Sequence, residues 1–144
     1  MSIGTMMRDR QVVSCGSDQS ALDAIKLMKE KNVGCVLVNE GPKPAGIITD
    51  RDFTLRFWGE DEQTRKSLKA KDLMTQPVHT INEDAGVHEL VKAFSESKNR
   101  RIVVTDKAGA TVGILSTDDV LPLLADELSE LSKALSPGAA KLAG

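Results

Sequence analysis

The chain is 144 residues long, 40% hydrophobic and 28% charged, with 19 Lys and Arg against 21 Asp and Glu. This is about one domain of an ordinary soluble globular protein, long enough to bury roughly two-thirds of its unfolded surface. A formal charge of −2, with four aromatics and no tyrosine, argues against a general nucleic-acid surface or a base-stacking platform. No apolar run approaches the ~18 residues that cross a bilayer. The opening 1–12 is broken by Arg8, Asp9 and Arg10 and has no apolar signal stretch. The expected location is the cytoplasm, with no membrane partner.

Taken in chain order, the expected elements occur twice. A short strand over Val12 to Cys15 leads through a turn into an amphipathic helix with Ala21, Ala24, Ile25 and Met28 on one stripe. A β-branched apolar run, Cys35 to Val38, reads as a buried strand. A polar turn over Asn39 to Pro44 and a further strand over Ala45 to Ile48 follow, feeding a helix that starts near Thr49. Shifted by 66 residues, Val12 meets Val78, Asp18 meets Asp84, Lys26 meets Lys92 and Val38 meets Val104. The second stripe is Val87, Leu90, Val91 and Phe94, and its strands are Val78 to Ile81, Ile102 to Val104 and Thr111 to Leu115, with a helix starting near Ser116. One extra residue in the second copy's turn moves the shift to 67, so that Gly46 meets Gly113 and Asp52 meets Asp119. The expected fold is α/β, two strand–helix–strand–strand–helix units packed against each other, because neither alone covers both faces of three short strands. The charged segment Glu60 to Lys69 between them reads as an exposed connector.

Catalytic motifs are missing: no GxSxG elbow, no GxxxxGK[ST] loop, no GxGxxG and no HExxH. The expectation is no enzyme. Cys15, Cys35, His79 and His88 show no metal-ligand spacing, and Cys35 in an apolar strand reads as a small hydrophobe. No metal site is expected. The repeated strand-to-helix junction is different. Thr49-x-x-Asp52 and Ser116-x-x-Asp119 each place a hydroxyl three residues before an acid. The bland account is a capping box, the hydroxyl capping the helix and the acid reaching back to the cap N–H. The sharper account is a ligand site, where helix N–H groups take a phosphate and the carboxylate takes a sugar diol.

Two such units with G-hydrophobic-x-[ST]-x-x-D at the junction resemble the CBS-domain family. Asp72-Leu73-Met74-Thr75-Gln76-Pro77-Val78 is similar to that family's entry, and Gly46-Ile47-Ile48-Thr49-Asp50-Arg51-Asp52-Phe53 to its closing motif. The first entry, Met6-Met7-Arg8-Asp9-Arg10-Gln11-Val12, carries one inserted residue and lacks the Thr after Met. The resemblance covers 4–125 and implies a stand-alone CBS pair, or Bateman module: repeat one at 4–59, a connector at 60–70, repeat two at 71–125 and a C-terminal helix and tail at 126–144. It implies pseudo-twofold symmetry and a regulatory ligand in the inter-repeat clefts: AMP, ADP or ATP, with S-adenosylmethionine or NAD as further options. Asp52 and Asp119 would accept ribose hydroxyls, and Thr49 and Ser116 would meet the phosphate or ribose edge. Val13 and Ser14, His79 and Thr80, with Ile47 and Ile114, would form the adenine slot. Arg100 and Arg101 are the expected phosphate partners, assigned to the cleft of Ser116 and Asp119, with Arg51 as a second candidate. Repeat one offers uncharged Val33-Gly34-Cys35-Val36 at the place of Asn99-Arg100-Arg101-Ile102.

Beyond the repeats, Leu121, Leu124, Leu128, Leu131 and Leu135 form a stripe on a final helix expected to end near Pro137-Gly138, with 139–144 frayed. Pro122 is expected to kink that helix or start it afresh. The stripe suits association, and the expected partners are a second copy, through the repeat helices and this one, and a separate protein target. The rival account from another class is an interaction scaffold with empty or vestigial clefts.

Overall fold

A computed structural model describes residues 3–7, 10–97 and 100–143, with side chains up to 135. It divides into two compact units, 1–114 and 115–144. The first begins with a short helix α1 (Ile3–Met7), then β1 (Ser14–Gly16), α2 (Ala21–Lys31), β2 (Cys35–Glu40) and β3 (Lys43–Thr49). A three-residue helix α3 (Asp50–Asp52) passes into a π-helical turn, Phe53–Phe57. Then come α4 (Glu62–Ser67), α5 (Ala70–Leu73), β4 (Thr80–Asn82), α6 (Val87–Ser97), β5 (Arg101–Thr105) and β6 (Thr111–Ser116). The second unit is carried by α7 (Thr117–Ala143).

The strands make two three-stranded sheets, β1-β2-β3 and β4-β5-β6, each opening with a parallel pair. The central strands are buried on both faces: Val36, Leu37 and Val38 in one, Ile102, Val103 and Val104 in the other. A run without polar alternation therefore behaves as a doubly covered strand should. Its edge strands start later than the apolar residues suggest, at Ser14 and Thr80, because Val13 and His79 offer only a carbonyl each, to the N–H groups of Leu37 and Val103. The β2–β3 hairpin is tighter than expected. Pairing continues through Asn39 and Glu40 to Pro44 and Lys43, leaving Gly41-Pro42 as the loop. Gly41 sits at φ 59°, the positive first position of a hairpin turn, and ladder bonds are indifferent to the polarity of the side chains that made this stretch read as a loop.

The repeats exchange their entry helices. The N–H groups of Ala70 and Lys71 donate to the carbonyls of Gln19 and Ser17, so α5, which opens repeat two, docks on repeat one. Reciprocally, Ile3 and Gly4 donate to the carbonyls of Ala85 and Glu83, placing α1 on repeat two. Leu73 and Ile3 are the buried plugs of the two contacts. This exchange also explains the matched glycines. An added Cβ at Gly46 would fall 2.5–2.7 Å from three side-chain atoms of Met74, and one at Gly113 would collide with the terminal methyl of Met7. Each glycine makes room for the methionine of an entry helix.

The connector is folded rather than extended. Asp61 caps α4 by accepting from the Thr64 N–H at 2.7 Å, Lys66 pairs with Glu62 at 3.6 Å, and the Arg65 guanidinium lies 4.8 Å over the Trp58 ring. That hydrogen bond and, less strongly, the Arg65 charge hold the Asp61 carboxyl below its usual range. Charge density marked this segment as exposed, which it is, but the cap and the i,i+4 pair give it helical form. Before α5, the Asp18 carboxylate is clamped by Lys71 at 3.0 Å and Lys69 at 3.9 Å. The bond to Lys71, then the charges of Lys71 and Lys69, lower its pKa, and the same bond raises that of Lys71. Burial, with a smaller push from Asp23, raises the Cys15 thiol. In the second unit, α7 runs from Thr117 through Pro122, Pro137 and Gly138 to Ala143 as one helix. The expected stop at Pro137-Gly138 is thus corrected, as is the expected fraying over 139–143; Gly144 lies outside the described residues.

Candidate functional site

At the first junction β3 ends on Thr49 in extended conformation, which frees its side chain to turn back over the next turn. Its hydroxyl accepts from the Asp52 N–H at 3.4 Å. Asp52 Oδ2 in turn accepts from the Thr49 N–H at 2.9 Å and the Thr49 hydroxyl at 3.2 Å. The capping box is realised in full. Asp52 is only 7% exposed, and its second oxygen is engaged too: Oδ1 accepts from the Thr75 hydroxyl at 3.0 Å, with Arg56 Nε at 3.9 Å. Arg56 also donates to the carbonyls of Leu73 and Met74, at the end of α5. Asp52 therefore ties the first junction to the entry of repeat two.

That entry builds a cavity. Ile47 and Thr75 exchange backbone bonds of 3.1 and 2.8 Å, laying the segment after α5 along β3. The resulting cavity, about 150 Å³, is lined by Ile47, Thr49, Thr75, Pro77, Val78, His79, Arg100 and Arg101. Its chemistry is divided: Ile47, Pro77 and Val78 are apolar, Thr49 and Thr75 supply hydroxyls, and two guanidiniums with one imidazole supply N–H donors. No acid is among the lining residues. Arg101 Nη2 also lies 4.0 Å from where a Cβ on Gly34 would stand, so the segments entering the central strands of the two repeats approach each other. Repeat one has no side chain there and leaves the arginine its space.

The second junction, in its own unit, repeats the cap. Ser116 donates to Asp119 Oδ2 from its N–H at 2.8 Å and its hydroxyl at 2.9 Å, and accepts from the Asp119 N–H at 3.2 Å.

Of the residues singled out by sequence, the cavity brings together Ile47, Thr49, His79, Arg100 and Arg101. It groups the two arginines with Thr49 of repeat one, a grouping the sequence reading did not make. Neither Asp52 nor Arg51 lines it; Arg51 is exposed on the first turn of α3. Nor do Val13, Ser14, Thr80 or Ile114, and Val13 packs on the core of repeat one. Asn99, next to the arginines, lies outside the described residues. The expected phosphate seat on backbone N–H groups is also altered: α3 has three residues, and the N–H groups of Arg51 and Asp52 are taken by Asp50 Oδ1 and Thr49 Oγ1. Thr75, Pro77 and Val78 are lining residues that the sequence reading treated only as an entry motif. Their signal was present in the Thr after Met74, which repeat one lacks. Among the described residues no three of His, Cys, Asp and Glu gather as metal ligands, and no helix is long and apolar enough to cross a membrane.

These features have counterparts in known proteins. The CBS-domain family model matches twice, over 3–59 and 70–126. Protein MK0525 of Methanopyrus kandleri is 34% identical over 122 residues, covering 84% of this chain and 61% of its own. The chain thus spans about three-fifths of that relative's length. The solved CBS-domain structure of NE2398 superposes with a TM-score of 0.72 at 26% identity, covering 86% of this chain and 98% of its own. The Pyrobaculum aerophilum CBS-domain protein PAE2072, solved in complex with AMP, shares the fold at a TM-score of 0.69 and 20% identity, over 83% of this chain and 90% of its own. With the family's model matched in both repeats and its pair architecture present, the chain belongs to the CBS-domain family.

Proposed function

We propose that this CBS pair is a non-catalytic sensor that binds an adenine nucleotide in the cavity between Thr49 and Arg101. The observation that carries this reading is the composition of that cavity: apolar strand residues beside hydroxyls and two arginines. The apolar side suits a base. Arginine forks suit phosphate oxygens, and charge-assisted bonds are about twice as strong as neutral ones. The AMP bound to PAE2072 supports the ligand class. The balance of charge favours AMP, ADP or ATP over S-adenosylmethionine, whose sulfonium would meet cations.

The cavity is smaller than the ~300 Å³ at which enclosed ligand pockets begin. Of the side chains that line it, those of Thr49 and Thr75 are bonded to Asp52, so a ligand that displaces either disturbs the first junction. A ligand with different affinity for the closed and opened arrangements shifts their populations, which is the physical content of regulation.

One observation favours the scaffold alternative: both oxygens of Asp52 already serve the fold, so this acid does not by itself signal a ribose site. A thermal-shift panel with AMP, ADP, ATP, S-adenosylmethionine and NAD separates the two. Ligand at 100 times its dissociation constant adds about 2.7 kcal/mol, a rise of several degrees at this size. The sensor reading expects that rise with a nucleotide and its loss in Arg101→Ala. A folded protein that no ligand shifts at millimolar concentration is a scaffold.

A further inference from the structure

The connector borders a second cavity, on repeat one. About 320 Å³ in volume, it is lined by Leu22 of α2, by Phe57 and Trp58 where the π-helical turn ends, and by Glu62, Arg65 and Lys66 of α4. It shares no lining residue with the cavity between Thr49 and Arg101, and it is large enough for a small organic molecule. Its residues depart from the duplication. Leu22 corresponds to His88, Phe57 to Leu124 and Trp58 to Ala125, while α4 belongs to the connector, which occurs once.

Two of its features are left without a partner. Trp58, 65% exposed, and Leu22, 41% exposed, keep large apolar surfaces in water. The Arg65 guanidinium carbon lies 4.8 Å from the Trp58 ring centroid and 6.0 Å from that of Phe57, and among the described residues its Nε is buried with no hydrogen-bond acceptor. Aromatic faces answer the charge of a guanidinium but not the N–H groups in its plane, and a buried donor without an acceptor is a standing loss. Lys66 pairs with Glu62 at 3.6 Å, and Asp61, which feels the Arg65 charge, is not in the lining. Two cations against one acid leave the lining with one net positive charge beside an apolar wall.

We infer that this cavity is a second ligand site, for a small monocarboxylate with an apolar body. The body covers Trp58 and Leu22, and the carboxylate supplies the acceptor that Arg65 Nε lacks, a group the guanidinium fork fits. The single net charge, with Glu62 at the rim, disfavours the dianion of a phosphate monoester. The shielded Nε is reached when the indole stacked on the guanidinium yields, and an indole two-thirds exposed has little to hold it. Trp58 is both wall and cover.

The probe is 3-phenylpropionate, with 3-phenylpropionamide as its neutral analogue, titrated into the whole native chain. Trp58 is the one tryptophan and there is no tyrosine, so intrinsic fluorescence reports this cavity alone. The expected result is a saturable change in that emission, with the acid bound at least tenfold more tightly than the amide. By calorimetry, Arg65→Met should lower the acid to the level of the amide, and Trp58→Ala should weaken both at least tenfold. Thermal unfolding of each variant separates a lost site from a lost fold, and the acid-to-amide ratio is read on the native chain whatever the variants do. Equal affinity for acid and amide, emission that neither changes, or full acid affinity in a folded Arg65→Met chain would each overturn the proposal. So would a dimer in sedimentation equilibrium that Trp58→Ala dissociates, since a second copy would then cover the cavity.

Discussion

The two strand-to-helix junctions share one sequence pattern and one local geometry, yet they are built into different surroundings. Each hydroxyl caps its turn, and each acid returns two bonds to the capping residue. Asp52 closes a three-residue helix that passes directly into a π-helical turn; after Asp119 the chain continues as a helix to Ala143. The first junction takes the Thr75 hydroxyl onto its acid and faces a cavity with Arg100 and Arg101. In repeat one, Gly34 and Cys35 stand where those arginines stand in repeat two. The two copies share the cap and differ at the flanking positions, and the cavity at the first junction carries both arginines. A capping box is thus the shared scaffold of the junction, and what distinguishes a ligand site is contributed from outside it.

This difference can be broken in order of effect. Asp52→Ala should cost the most, about 3 kcal/mol, because the Thr49 N–H and the two hydroxyls lose their acceptor in a buried place. Thermal unfolding of Asp52→Ala beside Asp52→Asn measures it, the amide keeping an acceptor and recovering part of the loss. For the same reason neither variant is a clean probe of ligand binding. Gly46→Ala should cost about 2 kcal/mol, since the new methyl meets Met74 at its Cβ and Cγ, which cannot swing away. Gly113→Ala should cost less than about 1 kcal/mol, because there the contact is only with the free end of Met7. Equal melting points for the two would contradict the account of the exchanged entry helices.

The smallest effect concerns acid. Asp18 is held ionised by Lys71 and Lys69, whereas Gly4 occupies the place of Lys71 opposite Asp84. A carboxyl whose folded pKa is depressed contributes stability above its unfolded value, near 3.9, and loses it as pH falls through the folded value. Asp18→Asn should therefore melt about a degree below the native chain at neutral pH and converge with it in strong acid, the gap shrinking in salt.

The pairing of the repeats shows what a sequence of this kind discloses. The duplication, the buried strands and both capping boxes were legible, because they rest on local spacing: a period of 3.6, a β-branched run, a hydroxyl three residues before an acid. Gly46 and Gly113 were visible as matching positions, but their reason was not. It lies in Met74 and Met7, reached only through helices that cross to the other repeat. The same crossing lays Thr75 to His79 along repeat one and brings Arg100 and Arg101 into one cavity with Thr49, which no spacing in the sequence announced. A regular repeat says which residues correspond and is silent on which of them meet. Charge in Glu60 to Lys69 likewise told exposure but not the cap at Asp61 that folds it.

Calorimetric titration of AMP and adenosine into the native chain and into Arg100→Ala/Arg101→Ala tests the central claim most directly. The account predicts that AMP binds the native chain at least tenfold more tightly than adenosine, and that the double substitution abolishes the difference while leaving adenosine binding in place. AMP affinity unchanged by the loss of both arginines, or no binding of either ligand to the folded chain, would contradict it.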